Sequence, residues 1–154
     1  MVDVNIINAF LASAKDIMAM IAGLSLDVGS PRIRDLSFTD EYLRIMLGIT
    51  GELQGQVIIC LSKDKAKETA SKMMMGMPVA ELDDMALSAL SELGNMIMGN
   101  TSTALASQGL STDITPPIIE QGASKLNSAF TNICVPFTEN GQLYMELNIV
   151  VKVK

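Results

Sequence analysis

The chain has 154 residues, of which 49% are hydrophobic, 18% charged and only 4% aromatic, so it can bury a large core. Its net charge of −6 argues against nucleic-acid binding, because phosphate contacts need clustered Lys and Arg. The absence of His excludes His-based nucleophilic triads and most zinc sites. We expect one domain over residues 1–154, since no linker divides the chain.

The first half of the chain predicts a helix, a short strand and a hairpin. Apolar residues recur with helical spacing over residues 4–22, and Gly23 follows as a stop signal. A short strand is predicted near residues 32–37. The period then changes to two over residues 42–61, with a turn at residues 51–55, which predicts an antiparallel hairpin.

The second half predicts two helices followed by extended segments. Ser62 is a typical N-cap, and Gly109 is the expected stop of a long central helix. The predicted elements are helices over 63–75 and about 81–108, an extended segment over 115–119, a loop over 120–129 and strands over 131–137 and 142–153. This order predicts an α+β fold, an antiparallel sheet with helices packed mainly on one face.

The alternation within the strands predicts one apolar face and a second face of mixed character. On the second face we place Arg44, Met46 and Thr50 in the first hairpin, and Tyr144, Glu146, Asn148, Lys152 and Lys154 in the last strand. Pro136 predicts that its strand lies at a sheet edge or ends early, since proline cannot donate to a ladder.

The cysteines and the N-terminal segment indicate a reducing compartment. Cys60 and Cys134 each stand alone in an apolar, strand-like run, which predicts buried free thiols. The start carries Asp3 and no basic region, and Lys15 interrupts its apolar stretch, so we expect neither a signal peptide nor a membrane span. A cytoplasmic location fits best.

A short polar stripe on the central helix is the main candidate site. Ser88, Glu92 and Asn95 are spaced i, i+4 and i+7, which puts their side chains on one face of a helix that is otherwise mostly apolar. A carboxylate and an amide one turn apart can bind a cation and hold a water molecule. Any chemistry of this chain is therefore expected at this stripe.

The pattern Ser88-x3-Glu92-x2-Asn95, followed by prolines, resembles the signature of the CheC/CheX/FliY phosphatases of bacterial chemotaxis. In that signature Asp or Ser stands first, and Pro follows the Asn after about 22 residues. Here Pro117 falls one residue short of that spacing and Pro116 two short. The single motif is most like CheX, as is the opening Asn-Ile-Ile-Asn-Ala-Phe; residues 51–59 and 82–85 resemble the family's hairpin and helix start.

The resemblance implies a CheC/CheX-like fold, a homodimer and a phosphatase for the aspartyl phosphate of a CheY-type response regulator. Glu92 would pair with the active-site Lys of the regulator, and Asn95 would aim a water molecule in line at the phosphorus. Ser88, Gly99 and Pro117 would contact this partner. The chain would carry no cofactor of its own, because the Mg²⁺ ion would belong to the regulator.

The residues alone leave other interpretations open. Glu92 and Asn95 can be the solvated edge of an amphipathic helix, and the chain can be a non-catalytic module for docking a regulator or another chemotaxis protein, or for dimerisation. Gly94 and Gly99 can create a flat face for a partner, or allow close packing of the first helix. Met73–Met77 can be an adaptable docking surface, or ordinary core or dimer packing.

Overall fold

The computed structural model describes residues 2–154, which form three helices and ten strands. The helices are α1 (Val4–Ala22), α2 (Lys63–Met73) and α3 (Asp84–Ser107). The strands are β1 (Asp27–Val28), β2 (Arg32–Ile33), β3 (Leu36–Phe38), β4 (Tyr42–Gly51), β5 (Leu53–Ser62), β6 (Thr112–Ile114), β7 (Ile118–Gln121), β8 (Ser124–Leu126), β9 (Ile133–Glu139) and β10 (Gln142–Val153).

The main sheet is antiparallel and has the strand order β1-β9-β10-β5-β4-β6. Strand β2 also pairs with β9, and β7 pairs with β4. Strands β3 and β8 form a separate two-stranded sheet. This arrangement confirms the predicted α+β class and both predicted hairpins.

All three helices pack on one face of the main sheet, where they enclose the larger core with the inward side chains of β4, β5, β9 and β10. The Asp3 carboxylate accepts from the backbone N–H of Asn5 at 2.7 Å and starts α1. Gly23 ends it with a left-handed φ of 64°. By length and composition α1 could cross a membrane, with a mean hydropathy of 1.4, but half of that stretch is buried in the structure.

Arg44 lies on the second face of the sheet, as the alternation predicts, and other segments of the chain cover this face. Strands β3 and β8 lie over this face and contribute to a smaller core around Leu36, Ile58 and Val150. Arg44 is only 1% exposed. Its guanidinium donates to the Gly122 carbonyl at 2.7 Å and lies 5.0 Å from the centre of the Phe38 ring.

Glu146 and Asn148 are also buried on this second face, since side chains of neighbouring segments satisfy them. One Glu146 carboxylate oxygen accepts from Arg32 at 2.8 Å and from Arg34 at 2.9 Å. The Asn148 side-chain oxygen accepts from the side-chain amide of Asn132 at 3.0 Å. Burial here follows from distant parts of the chain, which a local alternation pattern does not reveal.

The prediction that Tyr144 lies on the second face is wrong, because its side chain lies in the larger core on the helix side of the sheet. A register shift between Leu143 and Met145 reverses the alternation at this point. Leu143 is consequently 42% exposed, and the buried Tyr144 hydroxyl hydrogen-bonds that of Thr69 on α2 at 2.8 Å.

Several predicted boundaries move in the structure. The central helix begins at Asp84, three residues later than expected, because Asp83 is its N-cap. The segment 120–129, predicted as a loop, holds the end of β7 and the whole of β8. Strand β9 runs past Pro136 to Glu139, although only the two-residue strands β1 and β2 pair with its outer side.

Candidate functional site

Helix α3 presents the predicted polar stripe on its outer side. The Asp83 carboxylate accepts from the backbone N–H of Ala86 at 2.9 Å and fixes the start of the helix. The opposite side of α3 carries buried residues at helical spacing: Ala86, Leu90, Leu93, Gly94, Ile97, Met98, Thr101 and Leu105. This buried side fixes the rotation of the helix, and the stripe faces solvent as a consequence.

Gly94 brings α3 close to strand β4. A Cβ atom built at Gly94 would lie 2.8 Å from Ile45 Cγ2, 3.1 Å from Leu47 Cδ1 and 3.8 Å from Pro117 Cβ. Close packing is therefore the role of Gly94, although against the sheet and not against the first helix. Pro117 is half-buried beside this contact, so it supports α3 next to Asn95. A contact between Pro117 and a partner stays a prediction.

The four remaining predicted site residues are exposed along one line of α3: Ser88, Glu92, Asn95 and Gly99. At a spacing of three residues, the Cβ atoms of Glu92 and Asn95 lie about 5–6 Å apart. Gly99 offers a flat end to this line, since no described atom outside the helix backbone lies within 4 Å of a Cβ built there. The structure thus brings Ser88, Glu92, Asn95 and Gly99 together on one surface.

The polar side-chain atoms of Glu92 and Asn95 are available to bind a ligand or a partner protein. Among residues 2–154, neither side chain takes part in an intramolecular hydrogen bond or salt bridge. A free carboxylate can bind a cationic group, and a free amide can donate to one ligand while accepting from another. The pair can therefore hold a cation and a water molecule side by side.

Nothing in the described residues suggests a resident metal centre, because no three His, Cys, Asp or Glu side chains of residues 2–154 stand close enough to bind one. Cys60 and Cys134 are free and buried, as predicted. Burial raises the pKa of the Cys60 thiol to about 12 and also raises that of Cys134. Both thiols are therefore protonated and poor nucleophiles at neutral pH.

Met85 also belongs to the exposed line of α3, and it was not among the predicted site residues. It stands three residues before Ser88 and is 61% exposed. The connection between α2 and α3 adds Met75 and Met77, which are 98% and 54% exposed. The spacing of Met85 from Ser88 was a signal that could have identified this apolar extension.

Comparisons with known proteins agree on one family. The family described as chemotaxis phosphatase CheX matches residues 44–138. The CheY-P phosphatase CheX of Thermotoga maritima is 32% identical over 151 residues, 97% of this chain and 97% of that protein. A chain in the crystal structure of the CheX-CheY-BeF3-Mg²⁺ complex from Borrelia burgdorferi is 27% identical, with a TM-score of 0.80 over 95% of this chain and 97% of that chain.

The fold likeness extends to more distant proteins. The chemotaxis protein CheX from Desulfovibrio desulfuricans has a TM-score of 0.84 at 19% identity, over 98% of this chain and 100% of that chain. The family match spans more than half of this chain and includes the whole of α3. The chain therefore belongs to the CheX family of chemotaxis phosphatases.

Proposed function

We propose that this protein hydrolyses the aspartyl phosphate of a CheY-type response regulator, with Glu92 and Asn95 as its catalytic residues. The observation that carries the proposal is the exposed, unpaired state of these two side chains on one face of a well-packed helix. Such a face can enter the active site of another protein without prior rearrangement. Membership of the CheX family supports the choice of reaction.

Asn95 is suited to position the attacking water. Its side-chain amide donates a hydrogen bond through nitrogen and accepts one through oxygen, so it can fix both the place and the orientation of a water molecule. An acyl phosphate is already a reactive substrate, and in-line placement of water accounts for much of what catalysis requires. The mechanism therefore needs no covalent intermediate on this protein.

Glu92 is suited to bind a cation of the partner. An isolated carboxylate would repel the phosphoryl oxygens, so its charge must be balanced within the complex. We assign this role to the active-site Lys of the regulator. A Glu92–Lys pair would orient α3 on the regulator and hold Asn95 over the phosphorus.

The regulator would supply the metal ion. The related complex from Borrelia burgdorferi contains CheX, CheY, BeF3 and Mg²⁺, and BeF3 on a carboxylate resembles a phosphoryl group in shape and charge. That composition supports a phosphorylated, Mg²⁺-loaded CheY-type receiver as the partner. In our proposal this chain contributes the water-positioning and cation-binding side chains alone.

The proposal is tested with the Asn95→Ala variant, by separating binding from turnover. We expect this variant to bind a BeF3- and Mg²⁺-loaded receiver within about threefold of wild type while losing at least about 100-fold in phosphate release. Its unfolding midpoint should stay close to that of wild type, because the side chain is exposed and makes no intramolecular bond. Retained turnover would remove Asn95 from the mechanism, and a wild-type protein that binds without accelerating hydrolysis would support a docking module.

We further propose that the protein is a cytoplasmic homodimer with one domain per chain. Exposed apolar side chains on the outer strands, such as Ile33 and Ile118, provide surface that a second copy can cover. The free, buried thiols fit a reducing compartment. Sedimentation at micromolar concentration tests the dimer, and a monomer under those conditions would contradict it.

A further inference from the structure

The methionines around the start of α3 form an exposed apolar surface that the proposed catalytic stripe does not explain. We define the methionine cleft by Met74, Met77, Pro78 and Met85, which line a depression of about 320 Å³ between the end of α2 and the first turn of α3. Met75 belongs to the same connection and is 98% exposed. Met73, by contrast, is half-buried and packs against the core. The methionine-rich segment therefore divides into a packing residue and an exposed part.

The backbone holds the exposed part in place. The N–H of Gly76 donates to the Ser71 carbonyl at 2.8 Å, and the N–H of Met77 donates to the Met74 carbonyl at 3.2 Å. Met75 adopts a left-handed φ of 59°, which is unfavourable for a residue with a Cβ atom. This strained turn leaves the Met75 side chain almost fully in solvent, where it contributes nothing to the core.

The methionine cleft is continuous with the catalytic stripe. Met85 lines the cleft and also stands one turn before Ser88 on the exposed line of α3. From Met85 to Gly99 this line is about 21 Å long. A protein that receives Glu92 and Asn95 in its active site would therefore rest on the cleft at the N-terminal end of the helix.

We propose that the methionine cleft docks an apolar patch on the CheY-type receiver, next to the phosphorylation site, and contributes to recognition of this partner. The inference rests on the proposed function, since the stripe defines the occupant. Methionine side chains are flexible and polarisable, so they suit a surface that must fit a partner without being preformed for it. Glu81 lies exposed at the rim and makes no salt bridge within residues 2–154, which favours a receiver patch edged by Lys or Arg.

The test compares the KM and kcat of phosphate release from a phosphorylated, Mg²⁺-loaded CheY-type receiver on which the wild-type protein acts. We expect Met77→Ser/Met85→Ser to raise KM at least about tenfold, equivalent to about 1.4 kcal/mol, with kcat within about twofold of wild type. Met77→Leu/Met85→Leu should keep KM near the wild-type value, because it preserves apolar area. Glu81→Lys should raise KM by itself, by about threefold or more.

Met20→Ser is the matched control, since Met20 is a methionine of α1 that is 70% exposed and belongs neither to the cleft nor to the stripe. Its KM should equal that of wild type. Unchanged KM in the serine double variant, or a loss of kcat alone, would overturn the docking proposal. Loss of the dimer in sedimentation with KM unchanged would also overturn it and identify a second copy as the occupant.

Binding of the BeF3- and Mg²⁺-loaded receiver separates this proposal from the proposed function. If wild type does not accelerate hydrolysis but binds this receiver, and Met77→Ser/Met85→Ser weakens the binding about tenfold, the docking surface stands and the phosphatase proposal falls. If wild type accelerates hydrolysis and the serine variant has wild-type affinity, the phosphatase stands and the docking surface falls.

Discussion

Two glycines of α3 should respond in opposite directions to the same substitution. Gly94 and Gly99 both lie in the helix interior, where replacing Gly by Ala stabilises by about 0.5–1 kcal/mol through propensity. Gly94→Ala also places a Cβ 2.8 Å from the Cγ2 methyl group of buried Ile45. This methyl group is attached to Cβ of a β-branched side chain, whose χ1 rotation is restricted, so it cannot move aside. Overpacking of this kind costs about 1–3 kcal/mol.

The propensity gain is common to both variants and cancels in their difference. We therefore expect Gly94→Ala to be less stable than Gly99→Ala by about 1–3 kcal/mol, with Gly99→Ala slightly more stable than wild type. Denaturant unfolding followed by circular dichroism gives both free energies of unfolding. Equal stability of the two variants would refute the inference that Gly94 sets the contact between α3 and β4.

The remaining predictions concern the second face of the sheet. Glu146→Gln should lower the free energy of unfolding by about 1–2 kcal/mol, because it weakens the hydrogen bonds from the half-exposed Arg32 and Arg34. The same variant should leave the KM of phosphate release unchanged, and an altered KM would contradict the separation of this face from the site. Cys60 and Cys134 should resist a thiol reagent in the folded protein, and fast labelling without unfolding would contradict their burial. Burial raises the pKa of Cys60 in the folded protein from 9.0 to about 12, so the unfolded chain loses this proton first as the pH rises. The contribution of Cys60 to the free energy of unfolding is therefore complete below pH 9 and is lost as the pH rises towards 12. Unfolding curves at pH 8, 9 and 10 should show this loss, and Cys60→Ala should reduce the slope above pH 9.

Local signals predicted the helices well, and they also predicted the exposed face of α3 on which the candidate site lies. The bounds of α1, its stop at Gly23 and the N-cap at Ser62 follow from side-chain spacing and backbone chemistry within a few residues, and the structure has them as predicted. The exposed face of Ser88, Glu92 and Asn95 follows from the same helical geometry. Features that are set by residues within one helical turn of each other could therefore be predicted from the sequence.

The second face of the sheet was not predictable in this way. Arg44 and Glu146 are polar residues at outward positions of their strands, and their burial comes from segments far away in the chain. Tyr144 moves to the core side through a one-residue register shift that leaves no mark in the alternation of the flanking residues. Covering by distant segments changes whether a residue is buried, and a β-bulge changes which face it occupies. A single sequence carries little information on either.

The central claim is that Glu92 and Asn95 act together on an aspartyl phosphate. The most direct measurement is phosphate release from a Mg²⁺-loaded, phosphorylated CheY-type receiver, alone, with this protein, and with its Glu92→Ala/Asn95→Ala variant. We predict acceleration by the wild-type protein and a return to the receiver's own rate with the folded double variant. Equal acceleration by the wild-type protein and the variant would contradict the assignment of the site.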